Sequence, residues 1–198
     1  SSSAAQHSQS LEAWFAHIPG LVVVAPSTPA DNHGLLLAAL ASGDPVVYME
    51  HKVLWATPGP VTPGEVVPLG KARIAREGCD VTIVSWSRQM QACEQAAEQL
   101  AAQGVQAEVI DLRTLWPWDK DAVLASVAKT GRLLVVHEAI RVAGFGAEIA
   151  ATVAEETGAP VARLGAPRIP VGYAPTLEAE ARVTTAQITA AAQKLVAR

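Results

Sequence analysis

The sequence predicts a layered α/β protein, on three observations. Strand-length and helix-length apolar segments alternate along most of the chain, the pattern of folds built from βαβ units. The run Leu133-Leu134-Val135-Val136 lacks polar alternation, as expected of a strand covered by helices on both faces. Hydrophobic residues make up 50% of the 198 positions and charged residues 17%, which is enough apolar material for a substantial core. Between residues 67 and 198 the repeated strand–helix alternation can bury its apolar faces only as three layers, α/β/α, around a mainly parallel sheet.

The elements follow in order. Leu11, Trp14, Phe15 and Ile18 share one helical face, so the first helix is expected over residues 11–18, with Ser10 as N-cap and Pro19-Gly20 as its end. A buried strand follows over 21–25. Thr28-Pro29-Ala30-Asp31 then starts a helix with a capping hydroxyl, Pro at the first helical position and a carboxylate at N3. Gly43-Asp44-Pro45 stops it, and 45–50 is the next strand. Residues 57–64, Thr-Pro-Gly-Pro-Val-Thr-Pro-Gly, are dense in chain breakers and mark a connector. Beyond it come a strand at 80–85, a helix with Met90, Cys93, Ala97 and Leu100 on one face, and a strand at 105–111. A helix over 119–128 and the strand over 132–137 follow. Val142, Phe145, Ile149 and Val153 mark another helical stripe, 160–164 a short strand, and Ile188, Ala191, Ala192 and Leu195 the inner face of a last helix. The chain therefore divides into an incomplete α/β unit (1–56), a Pro/Gly-rich connector (57–66) and a complete α/β domain (67–198).

Composition excludes several function classes. Fifteen Lys and Arg against 19 Asp and Glu give a net charge of −4, scattered rather than clustered, which argues against a general nucleic-acid binder. No apolar run approaches the roughly 20 residues of a membrane helix. Cys79 and Cys93 lack ligand or disulfide spacing and fit a reducing compartment. The opening Ser1-Ser2-Ser3-Ala4-Ala5 has no signal-peptide pattern and reads as the interior of a longer protein or as an added segment. Walker A, His-Glu-x-x-His and Gly-x-Ser-x-Gly patterns are missing. Gly144-Phe145-Gly146 lacks the third glycine of a nucleotide loop, so close helix–strand packing is the preferred reading. Among the histidines, His17 and His33 fall on polar helix sides and are expected at the surface. His51, in Glu50-His51-Lys52 at a strand end, is expected at a solvated edge, and His137 in a structural or interface role. His7 lies in a polar cluster before an apolar helix, where a loop imidazole can serve an anionic ligand near neutral pH.

The run from His7 to Leu21, His-Ser-Gln-Ser-Leu-Glu-Ala-Trp-Phe-Ala-His-Ile-Pro-Gly-Leu, resembles a signature of the β subunits of thiamine-diphosphate-dependent 2-oxo acid dehydrogenases of the pyruvate and branched-chain type. The resemblance continues through Pro26-Ser27-Thr28-Pro29, Asp44-Pro45-Val46-Val47, Glu50-His51-Lys52, Pro68-Leu69-Gly70-Lys71-Ala72, the segment 108–115, His137-Glu138-Ala139, Gly144-Phe145-Gly146 and Tyr173-Ala174-Pro175. It implies the end of a pyrimidine-binding domain followed by a transketolase-type C-terminal domain. It further implies a role in oxidative decarboxylation of a 2-oxo acid with acyl transfer to lipoamide. Working partners would be an α subunit, a second β subunit and a lipoyl acyltransferase core, in a bacterial cytoplasm or a mitochondrial matrix. His7 matches the active-site histidine that orients or protonates reacting groups. The cofactor glutamate lies upstream of this chain in such subunits, and the magnesium–diphosphate site lies on the α subunit, so this chain holds no cofactor-binding residue and is inactive alone. Ala39, Leu40, Ser42 and Asp44 match a loop that holds potassium through backbone carbonyls. The resemblance departs at Ser1–Ala5, at Trp116-Pro117-Trp118 and at 169–173. Alternative readings are a non-catalytic assembly or docking module, and a transketolase or deoxyxylulose-phosphate synthase relative.

Overall fold

The computed structural model describes residues 3–197, so the reading of Ser1-Ser2 lies outside the described residues. The chain opens with two short helices, α1 (Ala4–His7) and α2 (Glu12–Ala16), before strand β1 (Val22–Val24). Helix α3 (Pro29–Ala41) begins as expected, with Thr28 as N-cap accepting from the Asp31 N–H at 3.1 Å and Pro29 in the first turn. Strand β2 (Val46–Tyr48) pairs parallel to β1. A single 3-10 turn (Lys52–Leu54) follows, and residues 57–72 contain no helix or strand.

The rest of the chain alternates as the pattern requires. Strands β3 (Arg73–Arg76) and β4 (Val81–Ser85), helix α4 (Gln89–Ala101), and strands β5 (Ala107–Asp111) and β6 (Thr114–Trp116) come first. Helix α5 (Lys120–Thr130), strand β7 (Leu133–Ile140), helix α6 (Gly146–Thr157), strand β8 (Val161–Ala166) and helices α7 (Pro175–Glu180) and α8 (Thr185–Val196) complete it. Five strands form one sheet in the order β3-β5-β4-β7-β8, all parallel except the edge strand β3. Every residue of β4 and β5 is buried, as is Leu133–His137 of β7, which confirms cover on both faces. One core cluster joins this sheet to α5 and α6, and a second joins its other face to α4 and α8. The three-layer α/β/α expectation holds.

The first part of the chain is fused to this sandwich rather than appended to it. After β5 the chain leaves the five-stranded sheet, and β6 pairs antiparallel to β1, giving a three-stranded sheet β2-β1-β6. Because side chains alternate along a strand, Val22 and Val24 pack toward α3 while Val23 joins the core cluster of the large sheet. Ionic contacts close the same seam. Asp111, fully buried at the end of β5, accepts from Ser27 Oγ and from Arg73 Nη2 at 3.2 Å. Arg113 donates to Asp31 Oδ1 at 2.9 Å and to the carbonyls of Lys71 and Ala72. Burial pushes the Asp111 carboxyl up to about 6, against the Ser27 bond and the Arg73 charge that hold it down.

The structure corrects the first helix. It covers only Glu12–Ala16, with Leu11 rather than Ser10 at its N-cap, and the expected apolar face is split. Trp14 is 70% exposed and Ile18 46%, whereas Glu12 is buried. The reason is a partner 74 positions away: Trp86 Nε1–H donates to Glu12 Oε1 at 3.0 Å, which draws the carboxylate inward. Val142 is also off its expected stripe, because α6 starts only at Gly146 and leaves Val142 exposed in the preceding loop.

Candidate active site

The candidate site lies where the N-terminal segment crosses the carboxyl ends of β1, β4 and β7, the place where parallel sheets most often hold ligands. Two cavities flank that segment. The larger, about 350 Å³, is lined by Ser8, Gln9, Ser10 and Trp14 on one side and by Ile140, Gly144, Arg168 and Arg182 on the other. The smaller, about 90 Å³, is lined by Gln9, Ser10, Glu12, His51, Trp86 and Glu138. Gln9, Ser10 and Glu138 border both.

His7 ends helix α1 rather than sitting in an open loop, and its side chain is exposed. It does not line either cavity, but the three residues after it line the larger one. Gln9 Nε2 donates to the Ala5 carbonyl at 2.9 Å and ties the turn after α1 back onto the helix. Ala39, Leu40, Ser42 and Asp44 fall at the opposite end of α3 from its Thr28 cap. There the Ala39 carbonyl accepts from the Ser42 N–H at 3.2 Å, and the Asp44 N–H donates to Ser42 Oγ.

His137 is fully buried within β7, which runs on to Ile140 past its expected end at 137, and this is consistent with a structural role. Its Nδ1 lies 2.9 Å from the Ala139 carbonyl, which fixes the Nδ1–H tautomer, and its ring stacks on Trp86 at 5.3 Å between centroids and 20° between planes. Burial pushes this imidazole down to about 4, so it is neutral at physiological pH. The Gly144-Phe145-Gly146 motif explains itself here. A Cβ at Gly144 would lie 2.8 Å from His137 Cε1, one at Gly146 2.6 Å from Cδ2, and one at Gly165 2.7 Å from Cε1. The glycines are a steric cage for a ring, so the close-packing reading is correct and Phe145 adds an edge contact to Trp86 at 6.2 Å.

Two histidine expectations change. His51 is not a solvated edge: its Nε2 lies 3.1 Å from Glu138 Oε2, and Arg88 approaches the other carboxylate oxygen at 3.7 Å. His33 is half-buried and its Nε2 accepts from the Gly64 N–H at 3.2 Å, pinning the connector to α3. His17 is exposed as expected. Sequence reasoning missed Glu12, Trp86 and Glu138 as members of the site. Glu138 could have been suspected from its place directly after the buried run Leu133–His137. Nothing local marks Glu12. Its carboxyl is raised by burial, with Glu138 adding repulsion and its own backbone N–H, the Trp86 bond and His51 easing it. The Glu138 carboxyl is instead held below the usual carboxylate range. Burial opposes this, but the His51 bond and the charges of His51, Arg88 and Arg182 outweigh it.

A three-stranded sheet fused to a five-stranded α/β/α sandwich, with a ligand-sized cleft at the seam, defines a two-part α/β protein of the transketolase type. Residues 70–188 match the family profile described as transketolase, C-terminal domain, and residues 1–57 that described as transketolase, pyrimidine binding domain. The chain belongs to the transketolase family. It is 46% identical over 196 residues to the β subunit of acetoin:2,6-dichlorophenolindophenol oxidoreductase from Cupriavidus necator, covering 96% of this chain and 58% of that one. To the pyruvate dehydrogenase E1 component β subunit of Dictyostelium discoideum it is 42% identical over 203 residues, 98% of this chain and 57% of the other. To the 2-oxoisovalerate dehydrogenase β subunit of Bacillus subtilis the identity is 41% over 196 residues, 96% and 60%. Among solved structures it superposes on a split-gene transketolase, an inactive β4 tetramer, with a TM-score of 0.81 and 25% identity, covering 94% of this chain and 60% of the other. The chain thus spans somewhat under two thirds of the length of these relatives, which include the 2-oxo acid dehydrogenase β subunits that its motifs resemble.

Proposed function

We propose that the chain is the C-terminal portion of the β subunit of a thiamine-diphosphate-dependent 2-oxo acid dehydrogenase, acting with an α subunit to decarboxylate a 2-oxo acid and pass the acyl group to lipoamide. The observation that carries this reading is the segment His7–Ser10. Its sequence matches the motif of such subunits, and its last three residues line a cleft of about 350 Å³ beside the sheet ends. The relatives named above support it, since two of them are 2-oxo acid dehydrogenase β subunits. The division into residues 1–56, 57–66 and 67–198 belongs to the same proposal.

The cofactor enters this reading from outside the chain. Among the described residues no group of three or more His, Cys, Asp or Glu could hold a metal ion. We place that end on the α subunit and the cofactor's glutamate partner upstream. What this chain contributes is an imidazole. In this proposal His7, exposed and next in sequence to the cleft-lining Ser8, Gln9 and Ser10, exchanges a proton with a reacting substrate oxygen. Potassium at Ala39, Leu40, Ser42 and Asp44 is part of the proposal. Carbonyls of a helix's last turn lack intrahelical donors and are free to face a cation, although that of Ala39 already accepts the Ser42 N–H. No helix among the described residues is long and apolar enough to cross a membrane. The location proposed is the cytoplasm in a bacterium and the mitochondrial matrix in a eukaryote.

The test is His7→Ala in the full-length β chain assembled with its α subunit. Loss of a positioned acid–base group lowers turnover by about 10²-fold or more. Near-normal turnover with a lipoyl acceptor refutes the assignment of His7.

A further inference from the structure

Helix α2 is held by Ala13, Phe15 and Ala16, which pack on the core of the large sheet, whereas His7-Ser8-Gln9-Ser10 has no apolar side chain to add to that packing. A cavity of about 350 Å³ lies against one side of Gln9 and Ser10, and one of about 90 Å³ against the other. Van der Waals contact fixes a chain only where neighbours surround it, so a strand of backbone between two cavities needs directional bonds. It has one at each end. Gln9 donates to the Ala5 carbonyl at the α1 end, and Glu12 accepts from Trp86 Nε1–H at 3.0 Å at the α2 end.

The donor is immobile. Trp86 lies flat on His137, whose ring is fixed by the Ala139 carbonyl and enclosed by Gly144, Gly146 and Gly165, and Phe145 meets Trp86 edge-on. The indole N–H is therefore aimed by the rigid five-stranded sheet at one point on the N-terminal segment. A stack runs from the glycine cage through His137 and Trp86 to Glu12, five residues from His7.

Stability alone does not explain a carboxylate in this place. Glu12 is 6% exposed and faces the like charge of Glu138, and although its own backbone N–H, the Trp86 bond and His51 offset part of those costs, its carboxyl stays raised by burial. An apolar side chain of similar volume would avoid the desolvation. What it would not supply is a fixed acceptor.

We infer that Glu12, held by Trp86, is a positioning residue that sets the place of the segment bearing His7 relative to the five-stranded sheet. The inference rests on the reading of His7 given above. Glu12 touches neither reacting atoms nor His7 itself; it acts through the backbone between them.

The test uses the full-length β chain assembled with its α subunit, in three variants. Trp86→Phe keeps a ring over His137 and removes only the N–H. Glu12→Ala removes the acceptor, and Glu12→Gln keeps an amide oxygen in its place. In Trp86→Phe and Glu12→Ala, amide hydrogen exchange across residues 6–14 is expected to speed up about tenfold while the sheet strands keep wild-type protection. Turnover falls about 10- to 100-fold with KM within about twofold, the scale of a misplaced catalytic group. Glu12→Gln recovers most of both losses. Unchanged exchange over 6–14 in the folded Trp86→Phe variant overturns the inference, and so does a Glu12→Gln variant as impaired as Glu12→Ala. If His7→Ala turns over normally while the exchange changes appear as stated, the role of His7 fails and the anchoring by Glu12 stands.

Discussion

The neutral His137 makes a stability prediction with a definite sign. The ring is fully buried, and its pKa falls from 6.5 to about 4 chiefly because burial penalises the charged form. The unfolded chain binds that proton more tightly than the folded one, so the contribution of His137 to stability is complete above pH 6.5 and is lost as pH falls toward 4. At 1.36 kcal/mol per pH unit, the loss comes to about 3 kcal/mol. Asp111 works in the opposite sense over nearly the same range. Its carboxyl rises from 3.8 to about 6 on burial, so its favourable contribution is present below 3.8 and is lost as pH rises through 6, again by about 3 kcal/mol. The two slopes nearly cancel in the native protein, and a single substitution unmasks the other. His137→Asn keeps a donor for the Ala139 carbonyl and removes the titration. Urea unfolding followed by circular dichroism at pH 7, 6, 5 and 4 should show the stability gap between native protein and variant closing by about 3 kcal/mol on acidification. In Asp111→Asn the remaining His137 slope should appear undiminished, with stability falling steeply between pH 6.5 and 4. A gap that stays constant within about 0.5 kcal/mol across that range refutes the assignment of a buried neutral imidazole.

The glycine cage and the seam give two further tests. Gly146→Ala puts a methyl 2.6 Å from His137 Cδ2 and 3.0 Å from Val135 Cγ1, both fixed. Such overpacking costs about 1–3 kcal/mol, read by calorimetry as a melting temperature lower by several degrees. Arg113→Ala removes the 2.9 Å contact to Asp31, leaving that buried carboxylate with the Thr28 hydroxyl at 2.7 Å and Arg73 at 3.4 Å, and two backbone carbonyls without the Arg113 donor. Breaking one side of a buried pair costs about 3–5 kcal/mol, and Arg113→Lys recovers little of it because an ammonium cannot span three acceptors.

Much of the architecture was legible in the sequence because most elements carry local signals. Thr28-Pro29-Ala30-Asp31 announces a helix start, and Leu133–Val136 announces a strand covered on both faces. Strand β3 was not legible. Arg73-Ile74-Ala75-Arg76 is an edge strand whose arginines serve the seam, with Arg73 reaching Asp111 and Asp31, so its polarity masks its pairing. Strand β6 and the short helix α7 also lack a periodic apolar pattern long enough to read. The first helix failed for a tertiary reason. Amphipathic reading assumes that charge faces water, and Glu12 faces Trp86 instead, which turns Trp14 outward. His33 and His51 were misjudged in the same way, since their partners Gly64 and Glu138 lie 31 and 87 positions away and leave no trace in neighbouring residues. Gly144 and Gly146 were read correctly because a missing third glycine already argued for close packing.

The central claim is that this chain supplies one side of a 2-oxo acid dehydrogenase site completed by an α subunit. Its most direct test is reconstitution: the full-length β chain, its α subunit, thiamine diphosphate and magnesium, assayed for acyl transfer to lipoamide from pyruvate and from branched-chain 2-oxo acids. The expected result is turnover of at least one 2-oxo acid by the assembled pair and none by either chain alone. Turnover by the β chain alone, or a stable assembled pair inactive toward every 2-oxo acid, would contradict it.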